Sequence, residues 1–111
     1  RGIQETIAVD DSINCINFIT NTSKSFDLDI TTIHSDGLTY TKKCKKKFNF
    51  IFADPPYRYQ YYEELKEVIT QRNLVKKDGL LIIEHDKETS FNDTNVEIRK
   101  YGSVHFSLFS F

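Results

Sequence analysis

The run Asp54-Pro55-Pro56-Tyr57 sets an acid, two rigid backbone units and an aromatic ring in consecutive positions. That set suits chemistry on a flat amine. The exocyclic nitrogen of a purine is a poor nucleophile, because its lone pair is delocalised into the ring. To attack a methyl group it needs acceptors that take hydrogen bonds from its N–H groups and draw it toward tetrahedral geometry. The Asp54 carboxylate and the Pro55 carbonyl can supply them, held outward by prolines whose φ is fixed. Tyr57 offers a π-face to an extruded base, a contact worth about 1–3 kcal/mol at other stacking sites. No strong base is required, since the amine becomes acidic once methylated and water or Asp54 can take the proton. The same residues also read as a plain strand-ending turn, because Asp-Pro and Pro-Pro both punctuate structure. Their placement after an apolar strand, before a helix and among other acidic strand tips favours the chemical reading.

Other candidates are weaker singly. A carboxylate at Asp10 can accept from two vicinal ribose hydroxyls, although Asp10 or Asp11 can equally cap the next helix beside Ser12. Asp36 can accept from an adenine amino group, with Gly37 letting backbone approach the ring; Ser-Asp-Gly is also good turn chemistry. Lys42, Lys43, Lys45, Lys46 and Lys47 form a basic run, but it precedes the strand that ends at Asp54 and so belongs at the opposite end of the sheet. A solvated helix end explains it better than a nucleic-acid contact. Arg58, Tyr59, Tyr61 and Tyr62 are better placed for nucleic acid, though helix packing is expected to claim Tyr61. His85 reads equally as a rim residue and as a structural histidine.

The elements that must hold these residues alternate. Thr6 to Val9 is a strand candidate, followed by a Ser12-capped helix with Ile13, Ile16 and Ile19 at helical spacing. Asp29 to Ile33 is a second strand, tipped by His34-Ser35-Asp36-Gly37, and a short helix runs from Leu38 to about Lys43. Phe48 to Ala53 is the strongest strand, stopped by prolines that cannot donate to a ladder. Tyr61 to Asn73 is a helix with Tyr61, Leu65, Val68 and Ile69 on one stripe. Lys77-Asp78-Gly79 is a turn, and Leu80 to Glu84 reads as a strand buried on both faces. Asn95 to Tyr101 and Ser103 to Phe111 flank Gly102 as a hairpin. This order predicts one α/β domain over residues 1–111, a Rossmann-like, mostly parallel sheet with a C-terminal antiparallel hairpin. Ligands bind beyond the carboxyl ends of such strands, so the tips at Asp10, Asp36, Asp54 and Glu84-His85-Asp86 are expected on one rim.

Bulk properties narrow the class. The 111 residues are 39% hydrophobic and 28% charged, ordinary for a globular domain. A net charge of -1 gives no global pull on nucleic acid. Membrane-length apolar runs and a secretory signal are absent, and Cys15 and Cys44 read as reduced structural thiols of a cytoplasmic protein without a metal site. The chain begins at Arg1 and has no Met, which reads as part of something longer.

Taken together, V-D-D at Val9 to Asp11, S-D-G at Ser35 to Gly37 and F-N-F-I-F-A-D-P-P-Y at Phe48 to Tyr57 resemble class I methyltransferases. With L-L-I-I-E-H at Leu80 to His85 and the tail Arg99 to Ser107, the chain resembles the bacterial 16S ribosomal RNA guanine-N2 methyltransferases of the small-subunit methyltransferase D type over nearly its whole length. The resemblance implies S-adenosylmethionine contacts at Asp10, Asp36 and Gly37. It also implies a target-amine site at Asp54, Pro55, Pro56 and Tyr57, with ribosomal RNA or the small subunit as partner and no membrane. DPPY is shared with adenine-N6 DNA methyltransferases, which remain an alternative.

One family feature is missing. The glycine-rich loop after the family's first strand, which cradles the methionine part of the cofactor, has no counterpart, because Gly2, Gly37, Gly79 and Gly102 are scattered. In the family fold the strand before that loop lies between those ending at Asp10 and Asp54. The chain alone is therefore expected to bind cofactor weakly and to be inactive, with exposed sheet edges that invite self-association. The missing loop also keeps open a non-catalytic, degenerate methyltransferase-fold binding module.

Overall fold

The computed structural model describes residues 5–56, 59–91, 93 and 96–111. Its elements are β1 (Thr6–Asp10), α1 (Ile13–Ser25), β2 (Ile30–His34), α2 (Gly37–Lys43), β3 (Phe48–Ala53), α3 (Tyr62–Gln71), β4 (Val75–His85), β5 (Val96–Tyr101) and β6 (Val104–Ser110). The backbone divides into two compact units, Arg1–Lys43 and Cys44–Phe111. Among the described residues no helix is long and apolar enough to cross a membrane.

In the first unit the β-branched runs of β1 and β2 pair in parallel, from Thr6 with Ile30 to Asp10 with His34. The polar tips after both strands therefore emerge at the same end. Ser12 is extended, and its Oγ accepts the Cys15 N–H at 3.3 Å, the expected cap of α1. Of the three isoleucines at helical spacing, Ile16 is buried, Ile19 is half-buried and Ile13 is exposed. Thr20 of α1 and Thr32 of β2 share a hydroxyl hydrogen bond of 3.0 Å.

The second unit is a four-stranded sheet in the order β3-β4-β6-β5. β3 and β4 are parallel, whereas β6 runs antiparallel to both β4 and β5. One face is the core. Leu81, Ile83 and His85 of β4 stand beside Phe109, Ser107 and His105 of β6, and α3 contributes Tyr62, Leu65, Lys66 and Ile69 to the buried set. Phe91 joins them, edge-on to Tyr62, His85 and Phe109. On the other face Phe50 and Phe52 of β3 are exposed.

Two expectations change. The α3 stripe runs through Tyr62, not Tyr61: Tyr62 is 4% exposed and Tyr61 is 44% exposed. Both phases of the helix place Leu65 and Ile69 inward; Tyr62 packs edge-on to His85 and Phe91, and Lys66 one turn on is buried with it. Its ammonium is buried against Glu63, Glu67 and Asp93 at 2.6–2.9 Å. The second change is at Lys77-Asp78-Gly79, which lies inside β4 as a register break. Phe48 pairs with Val75 and Phe50 with Leu80, so β4 spends extra residues there. Asp78 takes φ 66° and its N–H bonds the Phe111 carbonyl. The hairpin turns at Gly102 with φ 64°, as expected from its glycine. Asn95, the expected start of its first arm, lies outside the described residues.

Candidate active site

The site is built where two parallel strands end. Phe48–Ala53 is β-branched and aromatic until Pro55 and Pro56 remove the donors a ladder needs, so β3 stops one residue before Asp54. Ala53 pairs with Ile83, which brings the next residues, Asp54 and Glu84, out of adjacent strands side by side. A cavity of about 300 Å³ opens there, lined by Asp54, Pro55, Pro56, Tyr62, Glu84 and His85. That volume is at the small end of ligand sites.

The two carboxyl groups interact. Glu84 lies beside Asp54 in the strand register, close enough to feel its charge. Burial and the Asp54 charge beside it raise the Glu84 carboxyl above its ordinary value. The Tyr62 phenol is raised too, first by burial, then by Asp86 and Asp54, so it stays a neutral hydroxyl.

His85 closes the base of the cavity and is both things the sequence left open, a lining residue and a buried one at 3% exposure. Nδ1 lies 2.7 Å from the Asp86 carbonyl and Nε2 lies 2.7 Å from Ser107 Oγ. A carbonyl only accepts, so Nδ1 carries a proton, and in the neutral ring the Ser107 hydroxyl donates to Nε2. Asp86 Oδ1 in turn accepts the N–H groups of Glu88 and Thr89, which holds the chain just beyond β4.

Tyr57 and Arg58 lie outside the described residues. Tyr59 meets Tyr61 and Tyr62 edge-on at 5.5 and 5.4 Å, so the aromatic cluster after the motif is joined to the cavity wall through Tyr62. Tyr62 was not singled out within that cluster, yet it is the member lining the cavity. Lys47 immediately precedes β3, at the end opposite Asp54, and its Nζ donates to the Asn73 carbonyl at 2.8 Å.

The first unit carries Asp10, Asp36 and Gly37. Asp10 is half-buried; its Oδ1 accepts the Ser12 N–H at 2.8 Å, while Oδ2 takes no bond from a described residue. One oxygen of this carboxylate thus ties the turn after β1, the capping role expected of Asp10 or Asp11. Asp36 Oδ2 accepts the Thr39 N–H and hydroxyl at 2.9 and 3.1 Å, the capping role. A Cβ added at Gly37 would meet nothing within 4 Å, so open space lies beside the backbone there. These donor and acceptor types fit an adenosine moiety. Both cysteines are free thiols, Cys15 exposed and Cys44 buried.

Comparison with known proteins adds family and fold. The family model described as "Conserved hypothetical protein 95" matches residues 1–110. The chain is similar to the Bacillus subtilis (strain 168) protein named "Putative rRNA methyltransferase YlbH", 28% identical over 102 residues. That match covers 85% of this chain and 54% of the relative, so the chain spans about half of that protein's length. Among solved structures, a "putative methylase HI0767" from Haemophilus influenzae superposes with a TM-score of 0.80 at 17% identity, covering 95% of this chain and 71% of that one. A conserved hypothetical protein of Streptococcus pyogenes gives 0.84 at 16% identity, covering 97% and 72%. The fold is that of class I methyltransferases.

Proposed function

Because the chain belongs to the conserved hypothetical protein 95 family, the small-subunit methyltransferase D-like group, we propose that it carries the target-amine site of an S-adenosylmethionine-dependent N-methyltransferase. The substrate is an exocyclic amine of a nucleic-acid base, guanine N2 of 16S ribosomal RNA. One observation carries this reading: Asp54, Pro55 and Pro56 line a cavity of about 300 Å³ at the ends of β3 and β4, together with Glu84 and His85. The name of the Bacillus subtilis relative, an rRNA methyltransferase, supports RNA over DNA as the substrate.

When bound, S-adenosylmethionine supplies an electrophilic methyl on sulfur. Asp10 would hold its ribose hydroxyls, and Asp36 with Gly37 its adenine. The Asp54 carboxylate and the Pro55 carbonyl accept the two N–H groups of the target amine and orient its lone pair. Asp54, or water beside it, then takes the proton that the methylated nitrogen sheds. Tyr57 stacks on the extruded base.

The test is transfer of labelled methyl by the full-length protein to 16S ribosomal RNA or 30S particles, and to duplex DNA in parallel. Asp54→Ala should lower transfer to RNA by at least about 100-fold, the scale of losing one preorganised polar group. Transfer to DNA adenine alone would favour the adenine-N6 alternative. Unchanged transfer by Asp54→Ala would sink the catalytic reading, and a biological role that survives the substitution would point to a binding module.

A further inference from the structure

The side-by-side carboxyl groups at the ends of β3 and β4 do more than the target amine alone requires. Two acceptors, Asp54 and the Pro55 carbonyl, satisfy both hydrogens of an exocyclic amine. Glu84 is then left over, lining the same cavity and adjoining Asp54 by strand register, Ala53 being paired with Ile83. Neighbouring strands are about 4.8 Å apart, so its carboxyl serves an atom next to the amine, not the amine itself.

Resting on the guanine reading above, we infer that Glu84 is the specificity-determining residue that accepts the ring N1–H of guanine while Asp54 accepts from the adjoining N2 amine. Guanine presents these donors side by side on its Watson–Crick edge, and two carboxylates side by side complement them. Burial and the Asp54 charge raise the Glu84 carboxyl, so it holds a proton more readily than a free glutamate. When guanine enters, N1–H and N2–H are the donors that the two ionised carboxylates accept.

A base with a bare N1 lone pair behaves oppositely. Facing an ionised Glu84 it meets repulsion, and it fits only when Glu84 is protonated and can donate to N1. Discrimination should thus strengthen as pH rises. His85 and Tyr62 are the other titratable groups lining the cavity, and the Asp86 charge acts on Tyr62. None of them adjoins Glu84 in the β3–β4 register as Asp54 does, and the ratio of two substrates cancels whatever they contribute to both.

The experiment compares guanine with 2-aminopurine, which keeps the exocyclic amine and lacks N1–H. The methylated guanine is first mapped, and synthetic RNA segments carry either base at that position. With the full-length wild-type protein, kcat/KM at neutral pH should favour guanine by about ten-fold or more, within the range of one base contact, and the preference should shrink as pH is lowered toward the ordinary glutamate range. In Glu84→Gln the amide can turn its oxygen to N1–H or its NH2 to a bare N1. The preference should fall below about three-fold and lose its pH dependence. Equal wild-type use of both bases at every pH would overturn the inference, as would a Glu84→Gln variant that keeps the wild-type ratio and profile. Because the wild-type ratio is read without any substitution, a misfolded variant does not rescue the idea. If no guanine in ribosomal RNA is methylated at all, the guanine reading fails, and the inference falls with it.

Discussion

His85 Nε2 and Ser107 Oγ lie 2.7 Å apart across the β4–β6 pair, and both residues are buried. The contact joins the strand that ends at the cavity to the one beside it and fixes the imidazole, whose other nitrogen is held by the Asp86 carbonyl. Ser107→Ala removes the hydroxyl and strands Nε2 without a partner in an aromatic setting. The expected loss is about 1–3 kcal/mol, the cost of an unsatisfied buried polar group. Urea unfolding should show a lower midpoint at unchanged slope. A change below about 0.5 kcal/mol would mean the contact carries no weight.

The glycines separate into distinct cases. At Gly79 a Cβ would stand 2.6 Å from Val75 Cγ1 and 2.7 Å from the carbonyl oxygens of Asn49 and Lys76. Two of those three neighbours are backbone, so the register break in β4 cannot simply turn a side chain aside. Gly79→Ala should cost about 1–3 kcal/mol, measured by thermal unfolding. Gly102→Ala meets no atoms but adopts φ 64°, and Gly102→Asn should be the better tolerated replacement there.

Gly37 tests the cofactor assignment. It opens α2 without positive φ and with empty space around it, so Gly37→Ala should leave stability unchanged or raise it by up to about 1 kcal/mol. If adenine lies against that backbone, Gly37→Leu should raise the KM for S-adenosylmethionine at least about five-fold, roughly 1 kcal/mol of lost contact, with no loss of folding. An unchanged KM would remove Gly37 from the site.

Much of this arrangement was legible in the residues. Phe48–Ala53 was recovered to the residue because an apolar β run meets two prolines, and both cues are local. The Ser12 cap and the Gly102 turn are local in the same way. What escaped depended on distant partners. In α3 Tyr62 faces His85 and Phe91 from other elements, and beside it Lys66 is buried where sequence pattern reads a solvent residue. Its burial depends on Asp93, far along the chain, as well as on Glu63 and Glu67. The true start of β4 at Val75 was hidden because Lys76 to Gly79 looks like a turn, and the ladder resumes only through pairing with β3. The part Glu84 plays needs register, since nothing in its neighbourhood in sequence announces Asp54.

Lys66 itself makes a prediction. Burial pulls its ammonium toward neutrality, but the hydrogen bonds it donates to Glu63, Glu67 and Asp93 outweigh that and raise it well above the ordinary lysine value of 10.5. Lys66→Met keeps the stem and leaves three carboxylates close together. Those carboxylates are 33–58% exposed and can rehydrate, which limits the loss to about 1–2 kcal/mol. A group raised on folding stabilises fully below its unfolded value and ceases to do so as pH passes its folded one. The difference between wild type and Lys66→Met should therefore stay constant on the basic side from neutrality to about 10.5, a value set by the unfolded lysine, and narrow only above it. Narrowing already at pH 8–9 would contradict the triple pairing.

Glu84 obeys the same rule with a different consequence, since its carboxyl is raised from 4.5 by burial and by Asp54. Below 4.5 the Glu84 acid is protonated and sets no second charge beside Asp54. As pH climbs through the raised folded value, the second negative charge appears beside the first and stability is lost. Glu84→Gln mimics the protonated acid at every pH, because its amide can donate to Asp54 permanently. Wild type and variant should therefore unfold alike below about pH 4, under the ordinary glutamate range. Above that the variant should be the more stable, by less than about 1 kcal/mol given the partial exposure of the pair. A residue whose neutralisation improves folding is held in its charged form at a cost, which is the pattern of a site kept for binding. Paired melting curves at pH 4 and pH 8 decide it: a variant destabilised at pH 8 would mean that Glu84 is structural, and the case for a base-reading carboxylate would lose its thermodynamic support.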